Sequence, residues 1–264
     1  MNLELDNKVI LVTGGAKGIG EGIVRVLAQE NAKPVIIGRN TGDNEALVRS
    51  LEKENNRAYA IAAELTDPVA CARAVEQVVQ MLGRIDGLVN NAGVNDGVGL
   101  ENGSYEDFMA SLHRNVVHYY LMAHYALPWL KESKGPIVNI GSKTAETGQG
   151  GTSGYAASNG ARNALTREWA VELLPYGIRV NSVIVAESWT PLYASWIQKF
   201  DNPEAKLAEI TNKIPLEKRM TTPEEIAWMV AFLLSDRSSH TTGQWIHVDG
   251  GYVHLDRGLK NDRK

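Results

Sequence analysis

Val9-Ile10-Leu11-Val12-Thr13-Gly14-Gly15-Ala16-Lys17-Gly18-Ile19-Gly20 carries the reading of the fold. Four consecutive apolar residues suit a strand covered on both faces, and the glycines after them suit a tight turn. From Gly20 to Gln29, Ile23, Val24, Val26 and Leu27 fall near helical spacing. Strand, glycine loop and helix together turn backbone N–H groups and the positive end of a helix dipole toward an anion such as a pyrophosphate. In that unit Gly14 permits the tight turn, Gly18 the close approach of a ligand, and Gly20 the close packing of helix on strand. A glycine cluster by itself is weak evidence; its place between strand and helix gives it weight.

The same alternation continues outward. Val35-Ile36-Ile37 reads as a strand, followed by a polar helix from Asn44 to Lys53, a short strand from Tyr59 to Ala62 and a helix from Pro68 to Met81. Further strands are expected at Gly87-Leu88-Val89, Ile137 to Ile140, Ile178 to Ile184 and Gln244 to Val248, with helices from about Tyr105 to Lys131 and from Gly154 to Leu174. Right-handed crossovers then give an α/β, doubly wound parallel sheet covered by helices on both sides. With 264 residues, 44% of them hydrophobic, and no linker, repeat or low-complexity stretch, one domain spanning 1–264 is expected. Trp189 to Lys213 follows the C-terminal end of a strand, where open α/β sheets bind ligands, and reads as a substrate lid. The charged stretch from Asp256 to Lys264 reads as a solvated end.

A formal net charge of −4 gives no case for nucleic acid, which asks for clustered lysine and arginine in excess. A small-molecule partner is the default. Cys71 is alone, so the sequence offers no disulfide framework and no thiolate metal site, and a reducing cytoplasm is the simplest location. Glu4 and Asp6 precede only a short apolar run, unlike a signal peptide, and no apolar stretch reaches membrane-spanning length. The six histidines are scattered along the chain, with His113 and His118 five apart, and no metal site is expected from them.

The glycine run, Asn90-Asn91-Ala92-Gly93, Asn115, Ser142 and Tyr155 together closely resemble the short-chain dehydrogenase/reductase family. The resemblance implies a Rossmann-like nicotinamide-dependent oxidoreductase, commonly a homotetramer. It implies nucleotide contacts from Gly14, Lys17, Gly18, Ile19 and Gly20, from Glu64 and Leu65 near the adenine, from Asn91, Ala92 and Gly93 at the cofactor's centre, and from Thr190 near the nicotinamide amide. Val185-Ala186 stands where the family usually has Pro-Gly. At the end of the second strand Gly38 is followed by Arg39; with Lys17, these two cations and no carboxylate favour NADP(H) over NAD(H), since Arg39 can meet a phosphate with charge-assisted hydrogen bonds.

Ser142 precedes Tyr155 by thirteen residues, the spacing of the family. The resemblance implies that Tyr155 passes a proton to or from the substrate oxygen, that Ser142 holds that oxygen, and that Asn115 supports a water chain. Asn159 stands where the family has a lysine that shares a helical face with the tyrosine at i, i+4. A free tyrosine has a pKa of about 10 and a close opposite charge shifts a group by roughly one to three units, so an uncharged Asn159 predicts proton transfer slowed by about ten- to a thousandfold. Lys143 and Arg162 are candidate replacement cations. Lys143 is the weaker, because a neighbour along a strand points to the opposite face unless the strand ends first.

Gly148-Gln149-Gly150, Glu187, Thr190-Pro191-Leu192-Tyr193 and Val253-His254-Leu255-Asp256-Arg257 are similar to bacterial sugar dehydrogenases of the L-fucose dehydrogenase kind. A polyol needs convergent polar groups, and Asn95, Asp96, Gln149 and Glu187 are candidates, with Trp189 as a flat apolar face for a methylated sugar. The competing expectation is a nucleotide-binding relative that has lost catalysis and acts as a sensor or assembly partner.

Overall fold

The computed structural model describes residues 2–255; the charged stretch 256–264 lies outside them. Seven parallel strands form one sheet in the order β3-β2-β1-β4-β5-β6-β7: β1 Val9–Thr13, β2 Lys33–Gly38, β3 Tyr59–Ala62, β4 Gly87–Asn90, β5 Ile137–Ser142, β6 Val180–Val185 and β7 Trp245–Val248. This is the doubly wound, Rossmann-like single domain that the alternation of elements predicts. Chain direction across the sheet reverses between β1 and β4, and a ligand crevice opens outside the strand ends there.

The helices are α1 Gly18–Gln29, α2 Thr41–Lys53, α3 Pro68–Leu82, α4 Tyr105–Leu112, α5 His118–Ser133, α6 Ser153–Glu172, α7 Pro191–Ile197, α8 Pro203–Thr211 and α9 Pro223–Leu234. Ile23, Val24 and Leu27 of α1, Leu51 of α2 and Val230 of α9 fill the core on one face of the sheet. Val78 of α3, Met122 and Ala126 of α5 and Trp169 of α6 fill the other.

Two helical boundaries differ from expectation. The single helix from about Tyr105 to Lys131 is interrupted by a π-helical turn at His113–Val117, which carries Asn115. Such a turn shifts the backbone register and is common near functional sites. The polar helix begins three residues before Asn44, because the Asn40 side chain accepts the Asp43 N–H and caps it. The stretch 189–213 holds α7 and α8, each capped by a side chain, Thr190 and Asn202, and each opened by proline.

Candidate active site

The phosphate loop meets the requirements of a dinucleotide. Gly14 and Gly18 have φ of +62° and +57°, and a Cβ on Gly20 would stand 2.2 Å from the Gly14 carbonyl oxygen. Lys17, at the N-cap of α1, provides no side-chain acceptor, leaving first-turn N–H groups open to an anion, whereas α2, α3, α4 and α9 have theirs capped by side chains. Beside the loop lies a crevice of about 200 Å³ lined by Gly14, Arg39, Glu64, Leu65, Ala92 and Gly93. Val94 also lines a second cavity, of about 770 Å³, together with Ser142, Tyr155 and Thr190. Thr190 also reaches the loop: a Cβ on Gly18 would lie 3.3 Å from its methyl group. The residues present therefore fit a nicotinamide dinucleotide.

Three expected nucleotide residues have side-chain partners within the protein. Asn91 spends its side chain inside the protein, donating to the carbonyls of Thr13 at 2.9 Å and Gly14 at 3.2 Å, so it pins the end of β4 to the phosphate loop. The Ile19 side chain, in the first turn of α1, packs partly buried against the core. Lys17 points outward and pairs with Asp43 at 2.7 Å. Carboxylates are thus present where the sequence suggested none, since Glu64 also faces Arg39 at 3.5 Å. Burial works to raise the Glu64 pKa, but the Thr66 amide and hydroxyl and the Arg39 guanidinium outweigh it and hold the carboxyl below its usual range.

The catalytic candidates come together at the strand ends. Ser142 is the last residue of β5, and its Oγ accepts from the Thr144 hydroxyl at 3.1 Å. Tyr155 sits in the first turn of α6 and lines the same cavity. Asn115 is fully buried; its Oδ1 accepts the Val94 N–H at 2.7 Å and its Nδ2 donates to the Ser111 carbonyl at 3.0 Å. Asn159 is fully buried, and its Nδ2 turns back to the Tyr155 carbonyl at 2.9 Å, spending one of its two N–H donors within the helix. Its Oδ1 accepts from Arg162 Nη1 at 2.9 Å.

Lys143 escapes the alternation argument because β5 stops at Ser142 and residues Lys143–Ala145 form a 3-10 turn. The turn swings the ammonium into the larger cavity, onto the Glu187 carboxylate and 3.9 Å above the Tyr252 ring. Glu187 also accepts the Tyr193 hydroxyl at 2.8 Å; burial first, and then the Glu187 charge, push that phenol well above the usual tyrosine range. Lys143, Tyr193 and Tyr252 carried no sequence signal as a group, since they lie on three separate segments.

Gln149 and Asn95 line the cavity as expected. Asp96 does not: its carboxylate is held by Arg114 at 2.7 Å and Ser111 at 2.9 Å. The Trp189 backbone N–H is given to the Thr221 carbonyl beside the Ser188–Thr221 bridge, and Trp189 is not among the residues lining the cavity. Trp196, on α7, takes the position next to Leu192 and Tyr193. The histidines are less scattered in space than in sequence: His247 and His254 lie with ring centroids 4.5 Å apart, and His247 Nε2 is 2.9 Å from the Glu146 carboxylate.

The relatives agree with this geometry. A family profile described as enoyl-(acyl carrier protein) reductase matches residues 14–253. The 3-oxoacyl-[acyl-carrier-protein] reductase FabG of Thermotoga maritima is 37% identical over 252 residues, covering 95% of this chain and all of the relative. The L-fucose dehydrogenase of Bos taurus is 33% identical over 252 residues, covering 95% and 91% of the two chains. The crystal structure of Cj0485 dehydrogenase superposes with a TM-score of 0.92 at 43% identity, covering 97% of this chain and 98% of the other. The glycine loop lines one crevice, Ser142 and Tyr155 line the cavity that shares Val94 with it, and relatives match along nearly the whole length: the chain belongs to the short-chain dehydrogenase/reductase family of nicotinamide-dependent oxidoreductases.

Proposed function

We propose that the protein interconverts a sugar alcohol group and its carbonyl, acting on an L-fucose-like hexose with NADP(H) preferred over NAD(H). The observation that carries this reading is the mixed lining of the cavity beside Tyr155. It presents polar Lys143, Gln149 and Glu187 together with apolar Leu192, Trp196 and Ile210. A polyol with one methyl-bearing carbon needs both: convergent donors and acceptors for its hydroxyls, and an apolar face for the rest. The L-fucose dehydrogenase relative supports it. A 3-oxoacyl chain, suggested by the FabG relative, leaves the buried Lys143–Glu187 pair without use.

In this reading Ser142 holds the substrate oxygen and the Tyr155 hydroxyl receives or returns its proton, while Lys143 and Glu187 orient the remaining hydroxyls. Bound in the crevice, the nicotinamide supplies the hydride chemistry. For the cofactor, Gly38 leaves no carboxylate on the last residue of β2, and Arg39 is loosely held at 3.5 Å from Glu64, free to turn to a 2'-phosphate. Helices α7 and α8 act as the substrate lid. A homotetramer in a reducing cytoplasm belongs to the same reading, and the exposed Tyr120 of α5 and Val171 of α6 support an association face.

The buried, folded-back Asn159 favours one competitor, a nucleotide-binding relative without turnover. Titration with NADP(H) and NAD(H), followed by turnover on a panel of aldoses with a 3-oxoacyl thioester alongside, separates the readings. Sugar-dependent turnover supports the proposal. Thioester turnover alone, or tight nucleotide binding with no turnover of anything offered, rejects it.

A further inference from the structure

Arg162 lies two helical turns beyond Tyr155 on α6 and is 2% exposed. Among the described residues no carboxylate pairs with it. Its Nε donates to the Asn115 carbonyl at 2.7 Å and Nη2 to the same oxygen, while Nη1 donates to the Ile140 carbonyl at 3.2 Å and to Asn159 Oδ1 at 2.9 Å. A guanidinium cannot shed its charge in a protein. A buried positive charge held only by neutral oxygens therefore acts on whatever nearby group can become negative.

The titratable groups around it leave one candidate. From α5, Tyr119 has its ring 4.4 Å from the guanidinium, yet its hydroxyl donates to the Ile140 carbonyl at 3.0 Å, and burial, against the pull of Arg162, pushes it up to about 12. His118, also on α5, is pushed down to about 4, by burial first and then by the Arg162 charge, and stays neutral near pH 7. Across the cavity, Lys143 and Glu187 neutralise each other, with Tyr193 and Tyr252 on the far side of that pair. Arg114 is neutralised by Asp96, and Glu64 by Arg39. Tyr155 remains: its ring centroid is 5.9 Å from the guanidinium carbon, and it lines the cavity.

We propose that Arg162 is the positioning cation for Tyr155, holding its phenolate from two turns away through a seat formed by Asn115, Ile140 and Asn159. Asn159 is then part of the seat: bonded to the Tyr155 carbonyl on one side and to Arg162 on the other, it fixes the distance between them. The π-helical turn at Asn115 supplies the carbonyl that takes two of the guanidinium's hydrogen bonds. The role in turnover rests on the reaction proposed above; the charge effect on Tyr155 does not.

The test reads the phenolate directly, by ultraviolet difference titration of the protein against its Tyr155→Phe variant. The Tyr155 midpoint is expected to rise by about one unit or more in Arg162→Gln relative to the otherwise unaltered protein, to stay in place in Arg162→Lys, and to return in the Asn159→Lys, Arg162→Gln double variant. An unchanged midpoint in a folded Arg162→Gln overturns the proposal. A midpoint raised by about one unit or more in Arg162→Lys, which keeps the charge, overturns it as well, even if Arg162→Gln does not fold. A midpoint that moves with the charge at position 162, in a protein with no turnover on any substrate, supports the role of Arg162 and rejects the proposed reaction instead.

Discussion

A Cβ on Gly93 would stand 2.7 Å from Nη2 of Arg162. The glycine that closes the Asn91-Ala92-Gly93 segment is thus the open side of the guanidinium's seat, and the two residues, on different elements, are sterically interdependent.

Gly93→Ala displaces Arg162 from its carbonyl partners. Overpacking of this kind costs about 1–3 kcal/mol, and a buried charge moved off its hydrogen bonds adds to it. Urea denaturation is expected to show that loss, together with a raised Tyr155 midpoint. Wild-type stability with an unaltered midpoint would mean that the guanidinium does not depend on this gap.

Asn159→Lys alone gains little, less than about threefold in turnover, because the positive charge is already supplied by Arg162. If position 159 were a defect in the site, the lysine variant would instead gain about tenfold or more, since each pKa unit of the proton-transferring group is worth roughly a factor of ten. Steady-state rates across pH for the two proteins decide between these.

Arg39→Ala weakens NADP(H) by about 1.5–3 kcal/mol, the scale of hydrogen bonds to charged groups, and leaves NAD(H) nearly unchanged. Because the Glu64 carboxylate faces Arg39 at 3.5 Å, Glu64→Gln has the opposite sign, tightening NADP(H) by no more than about 1 kcal/mol, as suits an exposed pair. Equal losses for both cofactors in the Arg39 variant would show that the 2'-phosphate is not met there.

Glu187→Gln and Gln149→Ala are expected to bind nucleotide normally and to lose sugar turnover. The Glu187 change also leaves the Lys143 ammonium, itself only 10% exposed, without its anion, so some loss of stability accompanies it. Isothermal titration with nucleotide, paired with sugar-dependent thermal protection, separates the two effects. A fall in nucleotide affinity with an intact sugar response would place both residues at the wrong ligand.

His118 gives the fold an acid sensitivity. Its folded pKa, about 4, lies below its ordinary value of 6.5, so the unfolded chain takes up the proton first as pH falls. The stabilisation is complete above pH 6.5, erodes below it and is gone as pH reaches about 4, a loss on the order of 2–3 kcal/mol. Urea unfolding between pH 7 and 4 measures it. His118→Gln is expected to flatten that slope, and an unchanged slope would assign the acid sensitivity to other groups.

The fold was legible because β1, β4 and β5 are buried on both faces and rich in apolar residues, with Val9–Val12 an unbroken apolar run, while the glycine loop needs backbone conformations that few other sequences allow. Ser142 and Tyr155 were legible because both lie close to element ends and their separation in sequence is fixed by one loop. Arg162 stands at i+7 from Tyr155 and is seated by Asn115 and Gly93, which lie far away in the chain, so helical spacing alone could not show that it comes near the phenol ring. Lys143 turned on where β5 ends, a matter of a single residue. Trp189 and Trp196 each follow a serine, so sequence alone did not show that Trp196 is the one that lines the cavity.

The most direct test of the proposed reaction is the initial rate of absorbance change at 340 nm with NADP⁺ and L-fucose, run beside Tyr155→Phe. The account predicts a sugar-dependent rise that the Phe variant loses while retaining nucleotide binding. No rise with L-fucose or any other aldose, in a protein that consumes NADPH with a 3-oxoacyl thioester, would contradict it.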